Sequence, residues 1–419
     1  MGARGRHRRR KRGRALRAAL AGAALGLTAA ATMISASQAT VSSDPGALKP
    51  LTSASELGKL ELRETLEPQR SLDRLASEMG RPVGVDTVLK SADHTLRDAA
   101  DCTSDEKAAL PVEPAATRAY CWDSGDAADP AWTPRSVTTS GDADEDGWWG
   151  SNRVILSGWS ANSGGLAKVA FVNADDPGRL TYTWALLAVP TDGGRDYRGL
   201  VSKVSGMVWY QDKLLVTTSS GTRDALYVYD MNRIQRATVT ASAVGRVREG
   251  WSAAGYRYVL PAVGAYRLTG DSSATGPVGL SLDRSTVPDS LVASAGKRLW
   301  RYPFSLDPAR PGLLATDSAR HAVPEEAYAT KVTGVGGVLA YGPAWYLGGA
   351  AGDQSAHGSL WRQDAKDARA TECGADETHQ CWSAGTGSLS YWQETGEVWS
   401  VSGRMLFALP LTSIDRALD

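Results

Sequence analysis

A five-residue phrase occurs three times in this chain and narrows what it can fold into. Gly206-Met-Val-Trp-Tyr210, Gly337-Val-Leu-Ala-Tyr341 and Gly387-Ser-Leu-Ser-Tyr391 each read Gly-x-apolar-x-Tyr. Each leads through a polar or Gly/Pro turn into a second apolar run, at 213–217, 345–347 and 397–401. A short strand, a tight turn and a partner strand repeated along one chain is the pattern of β-propeller blades.

The rest of the chain from about residue 118 fits an all-β reading. Segments 181–186 and 225–229 alternate polar and apolar residues with period two, and Gly, Asp, Ser and Pro clusters separate them from their neighbours. Grouping the strands predicts a five-bladed propeller over 118–419, with six blades as the alternative. The first blade takes 136–140, 153–158, 167–173 and 180–189; the second runs from 206 through 213 and 225 to an outer strand near 256–260. The third holds 278–283, 289–293 and 298–304, and the fourth 337–341, 345–347, 359–362 and 379–384. The last shows only 388–392, 397–401 and 404–410. A closed ring leaves no open edge, so the missing strand is expected from Arg118-Ala-Tyr-Cys-Trp-Asp123. That segment matches Gln380-Cys-Trp-Ser383 of the fourth blade in its Cys-Trp pair.

Ahead of this domain the character changes twice. Residues 1–39 carry nine basic side chains and no acid, then an apolar stretch at 18–36 and a small-x-small site at 37–39. This is the layout of a secretory signal peptide, with an uncleaved membrane anchor as its competitor. Taking those nine from the 46 basic residues leaves 37 against 46 acids, a net charge of −9 for the remainder. Nucleic acid is therefore excluded as a partner, and a membrane enters only if the segment stays uncleaved. Residues 40–117 read as a linker and a small helical arm. Ser53-x-x-Glu56 forms a capping box, Leu57, Leu60 and Leu66 lie on one face, and two more helices are expected at 71–79 and 85–99.

The four cysteines are even in number and fit an oxidising compartment. Local pairing, Cys102 with Cys121 and Cys373 with Cys381, is expected because both loops are short and both second partners precede Trp. CxxC spacing, and with it a four-cysteine zinc site, is missing.

Several segments together resemble an uncharacterised family of secreted, β-propeller-like proteins of actinobacteria. They are Trp132-Thr-Pro-Arg-Ser-Val-Thr-Thr-Ser140, Leu187-Ala-Val-Pro190, Leu226-Tyr-Val-Tyr-Asp230, Asn232-Arg-Ile234 and Gly255-Tyr-Arg-Tyr-Val-Leu-Pro261. Leu280-Ser-Leu-Asp-Arg284, Pro288-Asp-Ser290 and Leu389-Ser-Tyr-Trp392 complete them. The resemblance implies the fold and says little about activity. This chain also departs from the family's pattern: Val204-Ser-Gly206 stands where the family has His-Ala-Gly-Gly, and Gly387-Ser388 where it has Glu-Asp.

Catalytic signatures are scarce. Beyond the leader the histidines are His94, His321, His357 and His379, none at a ligand-like spacing, and neither HExxH nor GxSxG occurs. Asp142-Ala-Asp-Glu-Asp-Gly147 places Asp142, Asp144 and Asp146 at alternate positions before a Gly, which suits calcium, although the twelfth position is Arg153 rather than a chelating Glu. An acidic surface turn is the alternative. Asp283 and Arg284 end an inner strand and are expected to face the channel as ligand-binding residues or as an ion pair. Trp209 and Trp392 are expected to line a ligand mouth or to pack in the core. The sequence thus predicts a secreted or surface-exposed, non-catalytic binding platform for an extracellular protein, peptide or glycan. The alternative is a propeller enzyme (a metal-dependent hydrolase, lactonase or lyase) working in the central channel.

Overall fold

Four-stranded antiparallel sheets follow one another five times in the computed structural model. It describes residues 44–162, 164–218, 223–270, 276–351, 356–375, 378–385 and 387–419, so the expected signal peptide at 1–39 lies outside the described residues. Sheet I is Trp132–Thr139, Val154–Ala161, Ala167–Asn173 and Thr181–Thr191. Sheet II is Met207–Tyr210, Lys213–Thr217, Asp224–Asp230 and Tyr258–Leu268. Sheet III is Gly279–Asp283, Ser290–Ala295, Arg298–Pro303 and Glu326–Ala329. Sheet IV is Val335–Tyr341, Ala344–Gly349, Ser359–Gln363 and Ala368–Ala370. Sheet V is Leu389–Trp392, Glu397–Ser402 and Met405–Pro410, with Arg118–Cys121 as its fourth strand. The fold is all-β.

The expected supply of that last strand from the other end of the chain is present. Ala408, Phe407, Leu406 and Met405 pair with Arg118, Ala119, Tyr120 and Cys121. Sheets I and II are also joined, by a parallel pairing of Tyr258–Pro261 with 185–188, into an eight-strand path. The end strands of that path, Met207–Tyr210 and Trp132–Thr139, touch, so it is nearly closed.

Period-two alternation buries both faces of these strands. In sheet II, Leu214 and Val216 enter a core shared with Leu156, Val169 and Phe171 of sheet I. Leu215 points the other way, to Leu280, Leu291 and Trp300 of sheet III. Further cores lie between III and IV (Val292, Leu299, Val338, Leu347), IV and V (Leu339, Leu360, Leu389, Phe407), and V and I (Trp399, Leu406, Ile155, Tyr182). The first strands of the five sheets meet in cyclic order. The repeated glycine belongs to that close approach: a Cβ on Gly206 would stand 2.8 Å from Leu280 N, and one on Gly337 would strike the carbonyl of Gly387.

Four sequence expectations need correction. The arm is not mainly helical. Ser53 caps a single turn, Ala54–Leu57, that stops at Gly58, and Leu66 lies in a strand, Leu62–Leu66, where Leu62 and Glu64 turn in and Arg63 and Thr65 turn out. Helix Gln69–Met79 covers the expected 71–79, but the helix expected at 85–99 ends at Lys90, and His94–Thr95 and Arg97–Asp98 are short strands. The outer strand of sheet IV is Ala368–Ala370 rather than 379–384, so Cys381 sits in a turn and the two Cys-Trp segments are not equivalent strands. The outer strand of sheet II runs on to Leu268, its pairing with Asp224–Asp230 interrupted by register shifts. Sheet III has the fourth strand Glu326–Ala329, and a final helix Leu411–Leu418 packs Leu411, Ile414 and Leu418 into the core between IV and V.

The arm's strands follow an order. Gly46 and Leu48 bond to Gln363 and Asp364 of sheet IV. Lys49–Pro50 pairs with sheet III, Leu62–Leu66 with sheet II, His94–Thr95 with sheet I and Arg97–Asp98 with sheet V. The segment is a belt along the outer strands, running against the order in which the chain makes the sheets. Both local disulfides, Cys102–Cys121 and Cys373–Cys381, are formed. Among the described residues no helix is long and apolar enough to cross a membrane.

Candidate functional site

The residues singled out in the sequence divide between a buried centre and a groove. At the centre, the short helix Ser140–Ala143 turns Asp142 inward, where its Oδ2 accepts from Thr138 Oγ1 at 2.6 Å and from Ser390 Oγ at 2.8 Å. Complete burial pushes the Asp142 carboxyl up to about 6, against the pull of these hydroxyls and of Arg284. Asp144 and Asp146 are exposed, and Asp146 Oδ1 accepts from Trp148 N within its own turn. The three carboxylates do not form a calcium cage. Among the described residues one trio of ligand-type side chains lies within 4.8 Å, Cys102, Glu106 and Cys121, and its sulfurs are spent on the disulfide. The alternative, an acidic surface turn, holds only for Asp144 and Asp146, since Asp142 is buried.

Asp283 and Arg284 are adjacent to the centre but not paired with each other. Asp283 is buried against Arg301 at 3.2 Å, and its Oδ1 also accepts from Ser285 N at 2.8 Å. Arg284 donates to Asp289 Oδ2 at 3.0 Å and to the carbonyl of Asp142 at 2.8 Å, with its guanidinium 5.5 Å from the Tyr210 ring. Burial raises the Asp289 carboxyl and pushes the Tyr210 phenol to about 12. Trp209 is fully buried, tilted against Trp149 at 4.9 Å in the core between sheets I and II.

Trp392 does line one. A groove of about 270 Å³ runs between sheets V and I, lined by Tyr120, Trp148, Trp392, Trp399 and, at its polar edges, Arg118, Arg153, Asp175 and Glu397. Glycine makes its wall thin: Cβ atoms on Gly141 and Gly147 would fall 2.5 and 2.6 Å from the Trp392 indole, so the 141–147 loop lies flat on that ring. Arg153 extends between Trp148 and Trp392, its Cζ 4.7 and 5.6 Å from the two rings, and donates to both carboxylate oxygens of Glu394 at 3.0 and 2.9 Å. At the other end Arg118 Nε pairs with Glu397 at 2.8 Å, and Tyr120 stacks on Trp399 at 6.5 Å. The groove thus offers flat apolar faces between fixed polar groups, just below the ~300–1,000 Å³ range of ligand sites. Of its carboxylates Glu397 is held by the Arg118 guanidinium and Asp175 accepts from the backbone N–H of Arg153 at 2.6 Å, and no Ser, Cys or His nucleophile–base pair lines it.

Sequence reasoning reached Trp392 and missed the rest of the lining. Trp148 follows an Asp/Gly turn, and a large aromatic placed there was a usable signal. Arg118 and Tyr120 share a wall with Trp399 because of a strand pairing nearly 300 residues long-range in sequence, on the order of the whole domain. A second aromatic cluster encloses a cation of its own. Lys168 Nζ lies 3.7 Å from the Trp184 ring, 4.6 Å from Trp132, 5.1 Å from Tyr256 and 5.5 Å from Trp159, with Asp126 Oδ1 at 3.8 Å. Burial pushes this ammonium down to about 8. No protein-family model matches the sequence, and no curated protein is significantly similar to it.

Proposed function

We propose that the chain is a secreted five-bladed β-propeller acting as a non-catalytic binding platform, and that it takes a glycan in the groove between sheets V and I. Five successive four-stranded sheets, five inter-sheet cores and cyclic contact of the first strands support the propeller reading. The disulfides and the sequence's resemblance to secreted actinobacterial propeller-like proteins support export.

The observation that carries the binding reading is the groove itself. Aromatic faces take the C–H faces of a sugar ring, and arginine and carboxylate edges bond its hydroxyls. A propeller enzyme working at the centre has weaker support, because Asp142 is sealed by two hydroxyl donors and Asp283 and Asp289 are each held by an arginine. Isothermal titration with a panel of neutral oligosaccharides tests the proposal. Binding that falls at least tenfold in Trp148→Ala, with the sugar recovered intact, is the expected result. Absence of binding at millimolar sugar, or cleavage of the sugar, refutes it.

A further inference from the structure

A second depression, of about 720 Å³, opens on the outer edge of sheet II; Arg63, Arg223, Arg267 and His321 line it, together with the acidic residues Glu64 and Asp224. Its charge pattern follows from strand register. Asp224 lies opposite Arg267, Arg267 opposite Arg63, and Arg63 opposite His321, across four adjacent antiparallel strands. Directly opposite side chains share one face, and like charges in such pairs repel. The row therefore sets three nitrogen bases or cations side by side, in a chain whose part beyond the leader carries a net −9.

Two of the neighbours are compensated. Arg267 Nε pairs with Asp224 at 2.7 Å, and His321 Nδ1 stands 3.0 Å from Glu61. Among the described residues Arg63, in the middle, has no carboxylate within 4.0 Å, and neither has Arg223, next to Asp224 in the chain; both are exposed. Glu64, the nearest acid in sequence, faces the other side of its strand, where Arg310 and Arg320 hold it at 2.6 and 2.9 Å. Thr65 adds a hydroxyl donor to the same wall, whereas the Thr269 hydroxyl donates to the carbonyl of Glu61 at 3.2 Å.

We propose that this depression is a binding site for a tetrahedral oxyanion, a sulfate or phosphate ester carried on a glycan, with Arg63 and Arg223 as its primary donors. Guanidinium groups present paired N–H donors that match such oxyanions, and an ester group placed between Arg63 and Arg267 removes the repulsion built into the row. The site is separate from the aromatic groove, and the proposal does not rest on what that groove binds.

The test is titration of the full chain with a sulfated hexasaccharide, a glycerol-phosphate hexamer and an uncharged hexasaccharide at 50 and 300 mM salt. Binding of at least one anionic probe, weakened at high salt and absent for the uncharged one when Trp148→Ala has disabled the groove, is expected. Arg63→Gln and Arg223→Gln should each weaken it about fivefold or more, with Arg63→Lys recovering part of the loss, whereas Lys366→Gln, an equal charge change on exposed sheet IV, should alter it less than twofold. Which anionic probe binds more tightly distinguishes sulfate from phosphate. The proposal is overturned if neither anionic probe binds at 50 mM salt, or if Arg63→Gln and Arg223→Gln weaken binding no more than Lys366→Gln. The Arg63, Arg223 and Lys366 variants change exposed side chains, and folding of every variant is checked by an unchanged unfolding midpoint.

Discussion

Replacing Asp142 by Asn isolates the cost of a buried carboxylate. The side chain is completely buried, and its acid is raised from 3.8 to about 6. Two units at 1.36 kcal/mol each give about 3 kcal/mol as the penalty for carrying the charge in the folded state at neutral pH. The sign follows from proton binding: between pH 3.8 and about 6 the folded chain holds a proton that the unfolded chain has lost. Stability from this group is therefore full below pH 3.8 and is lost as pH rises through about 6. Asn keeps an oxygen for the hydroxyls of Thr138 and Ser390, and Arg284 binds the backbone carbonyl, which the substitution leaves in place. Asn also sets an NH₂ where a second carboxylate oxygen stood, which offsets part of the gain. Asp142→Asn should then be more stable than the parent by about 1–3 kcal/mol at pH 7.5, with the advantage gone by pH 4. Urea unfolding of both proteins at pH 4, 5, 6 and 7.5, with matched m-values, measures it. A difference that stays constant over this range, or grows toward acid, refutes the reasoning.

Three further outcomes are expected. A chain beginning at Asp126 lacks Arg118–Cys121 and should aggregate or lose its cooperative transition, whereas one beginning at Cys102 keeps that strand and its disulfide and should unfold cooperatively; equal behaviour in calorimetry would show that the pairing with Met405–Pro410 is dispensable. Cys102→Ser with Cys121→Ser should cost about 3 kcal/mol in urea unfolding, since the bridge closes a loop with separation 19, and a loss under 1 kcal/mol would show that strand pairing alone holds the segment. Burial of Lys168, lowered from 10.5 to about 8, costs about 3 kcal/mol at pH 7, and desolvated contact with its rings returns about 2 kcal/mol or more, so Lys168→Met should shift stability by less than ~1.5 kcal/mol there; a larger change in either direction breaks that balance.

What could be read from the sequence was whatever local chemistry determines. The Gly-x-apolar-x-Tyr phrase marks first strands because those strands need a backbone without Cβ where the next sheet approaches, as Gly206 does at Leu280. Both disulfides were legible because their loops are short. The strand Leu62–Leu66 was not, since its Leu residues also fit a helical face and only pairing with Gly264–Leu268 decides between the two periods. The acidic turn misled for a related reason: three aspartates in alternation look alike in sequence, but one is drawn inward by hydroxyls from strands on two different sheets. The groove gathers Trp148, Trp392 and Tyr120 from segments far apart in the chain, and no local pattern announces such an encounter.

The belt has a consequence for how the molecule comes into being. A chain made from its N-terminus produces residues 46–117 first, yet every surface they rest on is made later. The partner of Gly46, Gln363, comes 317 residues after it. Leu62–Leu66 waits for residue 268, and Arg118–Cys121 for residues 405–408. Local sheets can form as they appear, and the arm gains its partners in reverse order: His94–Thr95 on the first sheet, Leu62–Leu66 on the second, Lys49–Pro50 on the third and Gly46 on the fourth, while the first sheet's neighbour on one side is the last to arrive. Such a nascent chain can fasten its leading segment step by step, from residue 95 back toward residue 46, and the pairing of Arg118–Cys121 comes last, when residues 405–408 are available.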